Sequence, residues 1–539
     1  MLEQSTIWIF RVVASLLCAC FYFVATTKMV SVLQQSGYRG GRFFKWLRQE
    51  RNTYFLRLFS LSVLSLFSTA LFIFVFYFME ETAAMAMGGI PFFGFALLFF
   101  VVDRRYALKV EGVKTGRWKR LAILYFLLIA SLAFGLICLC SLLATPLGAL
   151  FGWLAALRFL PLCCIPLVLP FVAMLANVIL SPLENARNRK FVARAGDALA
   201  ASKAVKIGIV GSYGKTSVKN ALRGLLSEKY AVVASPASYN TPIGVAKTVA
   251  LPAFAEAEVA IFEMGARRKG DIRELCDLVQ PDYILFTGVC AQHVETFGSV
   301  DGVFHAKCEA LSSCAKLVVC GGGLREKIEK EYPVEAEKCR FVCEAKDICL
   351  RADGAAFTLP LQGGDLAVDT CLLGEAAVEN ISLAAALAEV MGLMAQEIAA
   401  GVKKLQPTEH RLQLSKEGGV YILDDAYNCN EKGAKLAIDA LKRFSGKKYI
   451  ITPGIVETGV LHEEINGRLG AMLAEAALDT VVLVGETQAK VIVDGYKNAG
   501  GDMDALRIVP SLQDATALLQ GQLSDGDCVL FMNDLPDCL

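Results

Sequence analysis

Residues 206–220, KIGIVGSYGKTSVKN, place three glycines, a lysine and two hydroxyls directly after a short apolar run. Glycines at 208, 211 and 214 let backbone N–H groups close around phosphate oxygens, and a helix opening at Lys215 adds its positive dipole. Gly211, Ser212 and Gly214 form the turn; Lys215 reaches the β- and γ-phosphates of a bound ATP, Thr216 offers a hydroxyl to Mg²⁺, and Ser217 follows in the first helical turn. A plain glycine turn between strand and helix accounts for the glycines but not for the lysine and threonine that come with them. The spacing is G-x-x-G-x-x-G-K-T-S, because Ile209 stands where the generic G-x-x-x-x-G-K-[ST] loop has its first glycine.

A magnesium nucleotide needs hard oxygen ligands near its phosphates. Glu263 ends the apolar run VAIFE, where either a metal carboxylate or a solvated strand-end glutamate would sit. His293 is one of four histidines and lies in the polar loop AQHVETFGS; a lone histidine is more often structural, but this one follows a strand of the same sheet. Lys307, in FHAKCEAL, reads as helical and by itself as a surface lysine.

The elements that must position these residues alternate in type. From residue 205 apolar runs at 207–210, 231–233, 259–262 and 318–319 are separated by helical stretches and turns, which predicts a parallel sheet covered on both faces. Ligands gather at the carboxyl ends of such strands, where the glycine loop, Glu263 and the His293 loop all fall. A second α/β unit starts near residue 409; strand 420–423 runs into Asp424-Asp425-Ala426-Tyr427-Asn428, with further strands at 449–452, 480–484 and 528–532 and a helix over 431–444. Pro407 marks the boundary. The expected fold is an all-α transmembrane region (1–185), a P-loop-type parallel-sheet ATPase domain (200–407) and a C-terminal Rossmann-like α/β domain (408–539).

Bulk properties narrow the setting. Hydrophobic residues make up 55% of the chain, and the mean hydropathy of +0.47 exceeds that of a purely soluble protein. Most of the excess precedes residue 185. Apolar runs at about 6–27, 58–79, 83–102, 121–145 and 148–180 give about five spans, each near the ~20 residues a bilayer needs, the glycine-rich third being the shortest. Lys28, Arg39, Arg42, Lys45, Arg48 and Arg51 follow the first run, Arg104 to Arg120 the third, and Arg187, Arg189, Lys190 and Arg194 the fifth, whereas Glu80 and Glu81 lie on the other side. The positive-inside rule then puts the N-terminus outside and everything after 185 in the cytoplasm, at the inner membrane. Arg158 within the fifth run is either an intramembrane functional charge or a snorkelling one. The aromatic and basic stretch 35–52 suits contact with anionic membrane lipids or a solvated basic loop. A net charge of +1 gives no field for nucleic acid, and the 18 cysteines, many inside apolar runs, read as reduced thiols.

Taken in order, the glycine loop, Asn240-Thr241 in SYNTPIG, EMGA, AQHVETFGS followed by AKCE, HRLQ and DDAYNCN resemble the Mur ligases, the ATP-dependent ligases of peptidoglycan precursor synthesis, and among them the MurF type. The resemblance covers about 205–535 and implies roles residue by residue. Lys215 would neutralise the β/γ-phosphates, Thr216 and Glu263 would hold one Mg²⁺, and His293 would stand at a second. Lys307 matches a lysine that is carbamylated into an anionic metal ligand. Asn240 and Thr241 would approach the γ-phosphate, Asn380 the adenine, and Arg411 the phosphates from across the cleft, with Asp425 and Asn428 on the nucleotide side. Catalysis would then rest on Lys215, Lys307, His293 and Arg411, with ATP, two Mg²⁺ ions, a carboxylate-bearing envelope precursor and an amino acid or dipeptide as partners. The implied reaction is amide formation through an acyl phosphate.

Departures from the pattern are local. The UDP-sugar domain expected at the N-terminus is replaced by apolar segments, Glu379 stands for a usual His and Leu383 for a second Asn, ITPGIVETG replaces an LGDMLELG-like stretch, and VLFMNDLPD lacks a Lys-Gly-Ser loop. A poly-γ-glutamate-type polymer ligase and a non-catalytic membrane scaffold are the alternative functions.

Overall fold

The computed structural model describes residues 2–48, 54–78, 101, 113–150, 164–290, 297–427, 429–456, 458 and 461–533. The apolar run 83–102 (all but Val101), Arg158, and the site residues His293 and Asn428 lie outside the described residues. The chain forms two compact units, the first ending at Arg187 and the second spanning Asn188–Asp534.

The first unit is helical: Leu2–Gln35, Gly40–Leu47, Tyr54–Phe78, Gly116–Leu150 and the start of Ile165–Ala201. Among the described residues three stretches are long and apolar enough to cross a membrane, Arg11–Gln35, Gly116–Cys140 and Ile165–Ala201. Together with the helix Tyr54–Phe78 they bury Tyr22, Met29, Leu58, Tyr125 and Leu169 in one cluster. Outward, Ile9, Leu16, Phe59, Ile123 and Phe171 stay exposed, so the apolar segments of these helices are hydrophobic on both sides, as spans in lipid are. Two expectations about the loops change. Lys28 lies inside the helix Leu2–Gln35, and Arg187, Arg189, Lys190 and Arg194 lie on the helix Ile165–Ala201. An apolar run ends where its side chains turn polar, whereas backbone bonding continues through good helix formers such as the Ala and Arg residues that follow. Glu184 is buried and accepts two bonds from the Arg120 guanidinium, at 2.6 and 2.9 Å, which compensates a carboxylate inside the bundle.

In the second unit β1 (Val205–Val210), β2 (Val232–Ala234), β3 (Val259–Glu263), β4 (Tyr283–Phe286), β5 (Leu317–Cys320) and β6 (Cys339–Phe341) form a parallel sheet in the order β2-β3-β1-β4-β5-β6. Chain order reverses around β1, and the register sets Ile209 opposite both Glu263 and Leu285. The ends of β1, β3 and β4 therefore meet at one point of the carboxyl edge, where such sheets bind ligands. Both faces are covered. Val218, Leu222, Leu225 and Leu226 of the helix Lys215–Leu226 pack on Ile207, Ile209 and Ile261, while Val210, Phe262 and Phe286 face the helices Asp271–Val279 and Val300–Cys308.

A three-stranded antiparallel sheet that the sequence reading does not anticipate follows: β7 (Lys346–Leu350), β8 (Ala355–Leu361) and β9 (Gly364–Thr370). Then β10 (Gln413–Glu417), β11 (Val420–Asp425), β12 (Lys448–Thr452), β13 (Thr480–Val484), β14 (Leu506–Val509) and β15 (Cys528–Met532) form a second six-stranded sheet, ordered β10-β11-β15-β12-β13-β14. Only β10 runs antiparallel in it.

Candidate active site

The glycine loop leaves β1 at Val210 and enters the helix Lys215–Leu226 through two residues with positive φ, Gly211 at 149° and Gly214 at 73°. Side chains are excluded at both. A Cβ on Gly211 would run into the Thr287 hydroxyl, and one on Gly214 would lie 2.7 Å from Asn380 Oδ1. The second contact brings Asn380, far off in sequence, against the loop. Lys215 is half-buried and curls back so that Nζ donates to the carbonyls of Gly211 (2.9 Å) and Ser212 (3.2 Å). Burial holds its amine below the usual lysine range, with Glu263 acting in the opposite direction.

Glu263 is 2% exposed at the end of β3, so it is no solvated strand end. Its Oε2 accepts from Thr216 Oγ1 at 2.9 Å and from Lys219 Nζ at 3.4 Å. Thr216 and Glu263 thus bring hydroxyl and carboxylate oxygens together, a donor set that suits Mg²⁺. Ser212 Oγ is buried without a hydrogen-bond partner among the described residues, as fits a loop shaped for phosphate. ATP and Mg²⁺ therefore suit the residues present. Lys307 corrects the surface reading: it is 3% exposed, and burial, followed by the charge of Lys215, pushes its amine down to about 7.

The loop 235–241 lies beside β3. Gly265 N–H donates to the Asn240 carbonyl at 2.9 Å, and a Cβ on Gly265 would lie 2.6 Å from Asn240 Cγ. Thr241 is the N-cap of the helix Pro242–Val249, its hydroxyl accepting from Gly244 N–H. That hydroxyl is engaged in capping, a local role added to the one its motif implies.

A cleft of about 140 Å³ opens from the glycine loop to the C-terminal sheet, lined by Gly214, Ser217, Asn380, Arg411 and Asp425 among others. Arg411 stacks over the Tyr427 ring, 4.4 Å from its centroid. Asp425, at the end of β11, accepts from Leu412 N–H at 3.1 Å. Its burial, opposed by the Arg411 charge, raises the carboxyl to about 7.

Two features were missed in the sequence. Lys219 has a side chain only 2% exposed; its place four residues after Lys215, on the same helix face, was the available signal. Lys432 spans the cleft to Glu379 (2.7 and 2.9 Å) and to the Tyr213 hydroxyl (3.1 Å). Glu379 was visible as a departure from pattern, but its partner lies 53 residues away.

Comparison with known proteins agrees with this geometry. Residues 209–388 match the Mur ligase middle domain, and residues 410–534 the glutamate ligase domain of Mur ligases. The UDP-N-acetylmuramoyl-tripeptide–D-alanyl-D-alanine ligase of Bacillus subtilis is 27% identical over 336 residues, covering 60% of this chain and 72% of that protein. The enzyme of the same name from Escherichia coli is 28% identical over 337 residues, covering 59% and 74%. Among solved structures, MurF from Acinetobacter baumannii aligns with a TM-score of 0.58 at 24% identity over 64% of this chain and 77% of its own. Thermotoga maritima MurF in complex with ADP gives 0.58 at 22% identity over 64% and 80%. Domain matches, relatives and fold agree over the same residues: the chain belongs to the Mur ligase family of ATP-dependent ligases and carries that family's middle and C-terminal domains.

Proposed function

We propose that this chain is a membrane-anchored amide ligase, joining the carboxylate of a cell-envelope precursor to an amine at the cytoplasmic face of the membrane through an acyl phosphate. The observation that carries the reading is one cleft in which the glycine loop and Asn380 face Arg411 and Asp425, beside the buried Thr216–Glu263 pair.

A carboxylate cannot expel oxide, so amide formation needs a better leaving group. A carboxylate oxygen attacks the γ-phosphorus of ATP, ADP departs, and the acyl carbon now bears a phosphate. The free amine attacks that carbon, the tetrahedral intermediate collapses, and phosphate and one proton leave. Lys215 offsets the charge of the phosphoryl group in transfer, and Arg411 meets the phosphates from the opposite lobe. Asn240 and Thr241 flank the γ-phosphate, Asn380 and Asp425 the nucleoside, with Asn428 nearby. Thr216 and Glu263 would hold one Mg²⁺, and His293 and Lys307 a second, and such ions would neutralise charge at the phosphates. Lys307 would gain its anionic form when its neutral amine adds CO₂ and releases one proton, and burial that lowers its amine to about 7 favours that neutral amine near neutral pH. Closure of the lobe 408–539 on the domain 200–407 excludes water from the acyl phosphate.

Three apolar helices, with basic residues 39–48 beyond the first and 117–120 and 187–194 at the polar ends of the other two, support residues 1–185 as the anchor and the catalytic domains as cytoplasmic. The relatives' names support a muropeptide acceptor and a dipeptide or amino-acid donor. Membrane spans in place of a UDP-sugar domain favour an acceptor carried on lipid. The test is ADP release by the purified protein in nanodiscs, with lipid-linked or UDP-linked muropeptides paired with amines and products read by mass spectrometry. Transfer of ¹⁸O from the carboxylate into phosphate would report the acyl phosphate. Absence of ADP with every pair would sink the reading.

A further inference from the structure

Lys219 is a buried cation to which the family motifs assign no task. It follows Lys215 by one helical turn, so it shares the face that carries Lys215 and Thr216 towards the carboxyl edge of the sheet. Its side chain is 2% exposed and meets two partners, Glu263 Oε2 at 3.4 Å and the Ala237 carbonyl. Each partner belongs to a different part of the site.

Glu263 is a lone carboxylate at the end of a fully buried strand. Both of its side-chain bonds fall on Oε2, from Thr216 and Lys219, so Oε1 takes no donor among the described residues. Burying a carboxylate costs less when an opposite charge lies beside it. Lys219 supplies it without occupying the second oxygen. Ala237 has φ of 43°, a left-handed conformation that a residue with a Cβ adopts only when something holds it. The Lys219 ammonium bonds its carbonyl, three residues before Asn240. Ser235 fastens the other end of this loop, its hydroxyl accepting from Glu263 N–H and donating to the Ile261 carbonyl.

We propose that Lys219 is a positioning residue of the phosphoryl-transfer site: its ammonium fixes the Glu263 carboxylate and the 235–241 loop in one register and compensates Glu263 when no divalent cation is present. The charge on Lys219 opposes a second cation at Glu263, so metal binding at that carboxylate depends on the phosphates that arrive with it. Free metal is held weakly and the metal nucleotide well.

The inference rests on the ATP-ligase reading for its purpose, but its test needs neither acceptor nor amine. Mn²⁺ alone and MnATP are titrated into wild type, Lys219→Met, Lys219→Arg, Glu263→Gln and the Lys219→Met/Glu263→Gln double variant, with the ordered fold checked by thermal unfolding. Lys219→Met should bind free Mn²⁺ about 5- to 10-fold more tightly and MnATP at least 10-fold more weakly, and should be cut faster by protease within 235–241. Lys219→Arg should restore most of both affinities. On the Glu263→Gln background, Lys219→Met should leave free Mn²⁺ affinity unchanged. If Lys219→Met does not fold, Lys219→Arg decides, because a folded Lys219→Arg that binds free Mn²⁺ at least about fivefold more tightly than wild type, or MnATP at least about tenfold more weakly, would overturn the proposal. Unchanged Mn²⁺ affinity and loop cleavage in folded Lys219→Met would overturn it too. A wild type that binds no MnATP would instead remove the ligase reading itself.

Discussion

The two six-stranded sheets of the second unit meet one cleft with carboxyl edges of different character. Among the described residues of the central edge the charged groups are few: Lys219, Lys307 and the carboxylate Glu263 are buried and Lys215 is half-buried. Cations outnumber anions in that set, which suits a site that receives phosphates. On the C-terminal edge most buried polar groups are satisfied internally. Asn466 bonds both the N–H and the carbonyl of Ile455, and Asn533 bonds the Gly454 carbonyl and Cys429 N–H. Those bonds hold Gly454 and Ile455 with side chains of their own lobe, in the segment where the sequence leaves the Mur ligase pattern. On the ligase reading proposed above, the difference separates two demands: use of ATP would constrain residue type closely, whereas recognition of an amine would constrain a loop shape that several sequences can build.

The largest effect should come from the central edge. Lys215→Ala removes the cation proposed to meet the phosphates, and ADP formation should fall by about 10³-fold or more, measured by coupled assay at saturating ATP. A drop under tenfold would erase the contrast between the edges, because the glycine loop would then be scaffolding. Next is Lys307→Ala, expected to cost about 10²-fold. The same residue gives a pH signature. Its amine is pushed down to about 7 by burial, so it is neutral above that pH and charged below. With ¹³C-bicarbonate, a carbamate carbon signal should grow as pH rises through about 7 and be absent from Lys307→Ala. A signal that ignores pH, or that survives the substitution, would assign it to another amine.

Asp425 lets the C-terminal edge be probed by stability. Its carboxyl is raised from 3.8 to about 7 because it is buried. A raised carboxyl binds its proton more tightly in the folded state, so folding is favoured below pH 3.8 and that advantage is lost as pH rises to about 7. Asp425→Asn should therefore raise Tm by a few degrees at pH 8 and by almost nothing at pH 4, while weakening ATP binding about tenfold. A variant less stable than wild type at pH 8 would mean that the Arg411 charge outweighs the burial of Asp425.

The sequence made the parallel strands legible for a physical reason. Strands buried on both faces read as nearly continuous apolar runs, as β3, β13 and β15 do. The sheet β7–β9 escaped notice because β7, KDICL, is almost wholly exposed. Glu263 and Asp425 were legible as strand-end carboxylates, and Lys215 as a loop lysine. Lys307 and Lys219 were not, since burial of a lysine depends on neighbours contributed by other elements. The Glu379–Lys432 pair was beyond reach for the same reason, as it exists only when two lobes face each other.

That pair supplies the smallest expected effect and the sharpest test of the contrast. Lys432 Nζ bonds both Glu379 oxygens, yet the two side chains are 39% and 45% exposed. Solvent screens such a pair to about 1 kcal/mol or less. Lys432→Met or Glu379→Gln should therefore raise the KM for ATP about 2- to 5-fold, by loosening the approach of the lobes at Tyr213, and leave kcat within about twofold. Rising salt should shrink the effect. The exchange Glu379→Lys with Lys432→Glu tests the cause, because an electrostatic bridge recovers when both signs are reversed and a shape-dependent contact does not. A kcat that falls more than tenfold in the single variants would place the C-terminal lobe inside the chemistry on equal terms with the central edge, and the division of labour between the two edges would not stand.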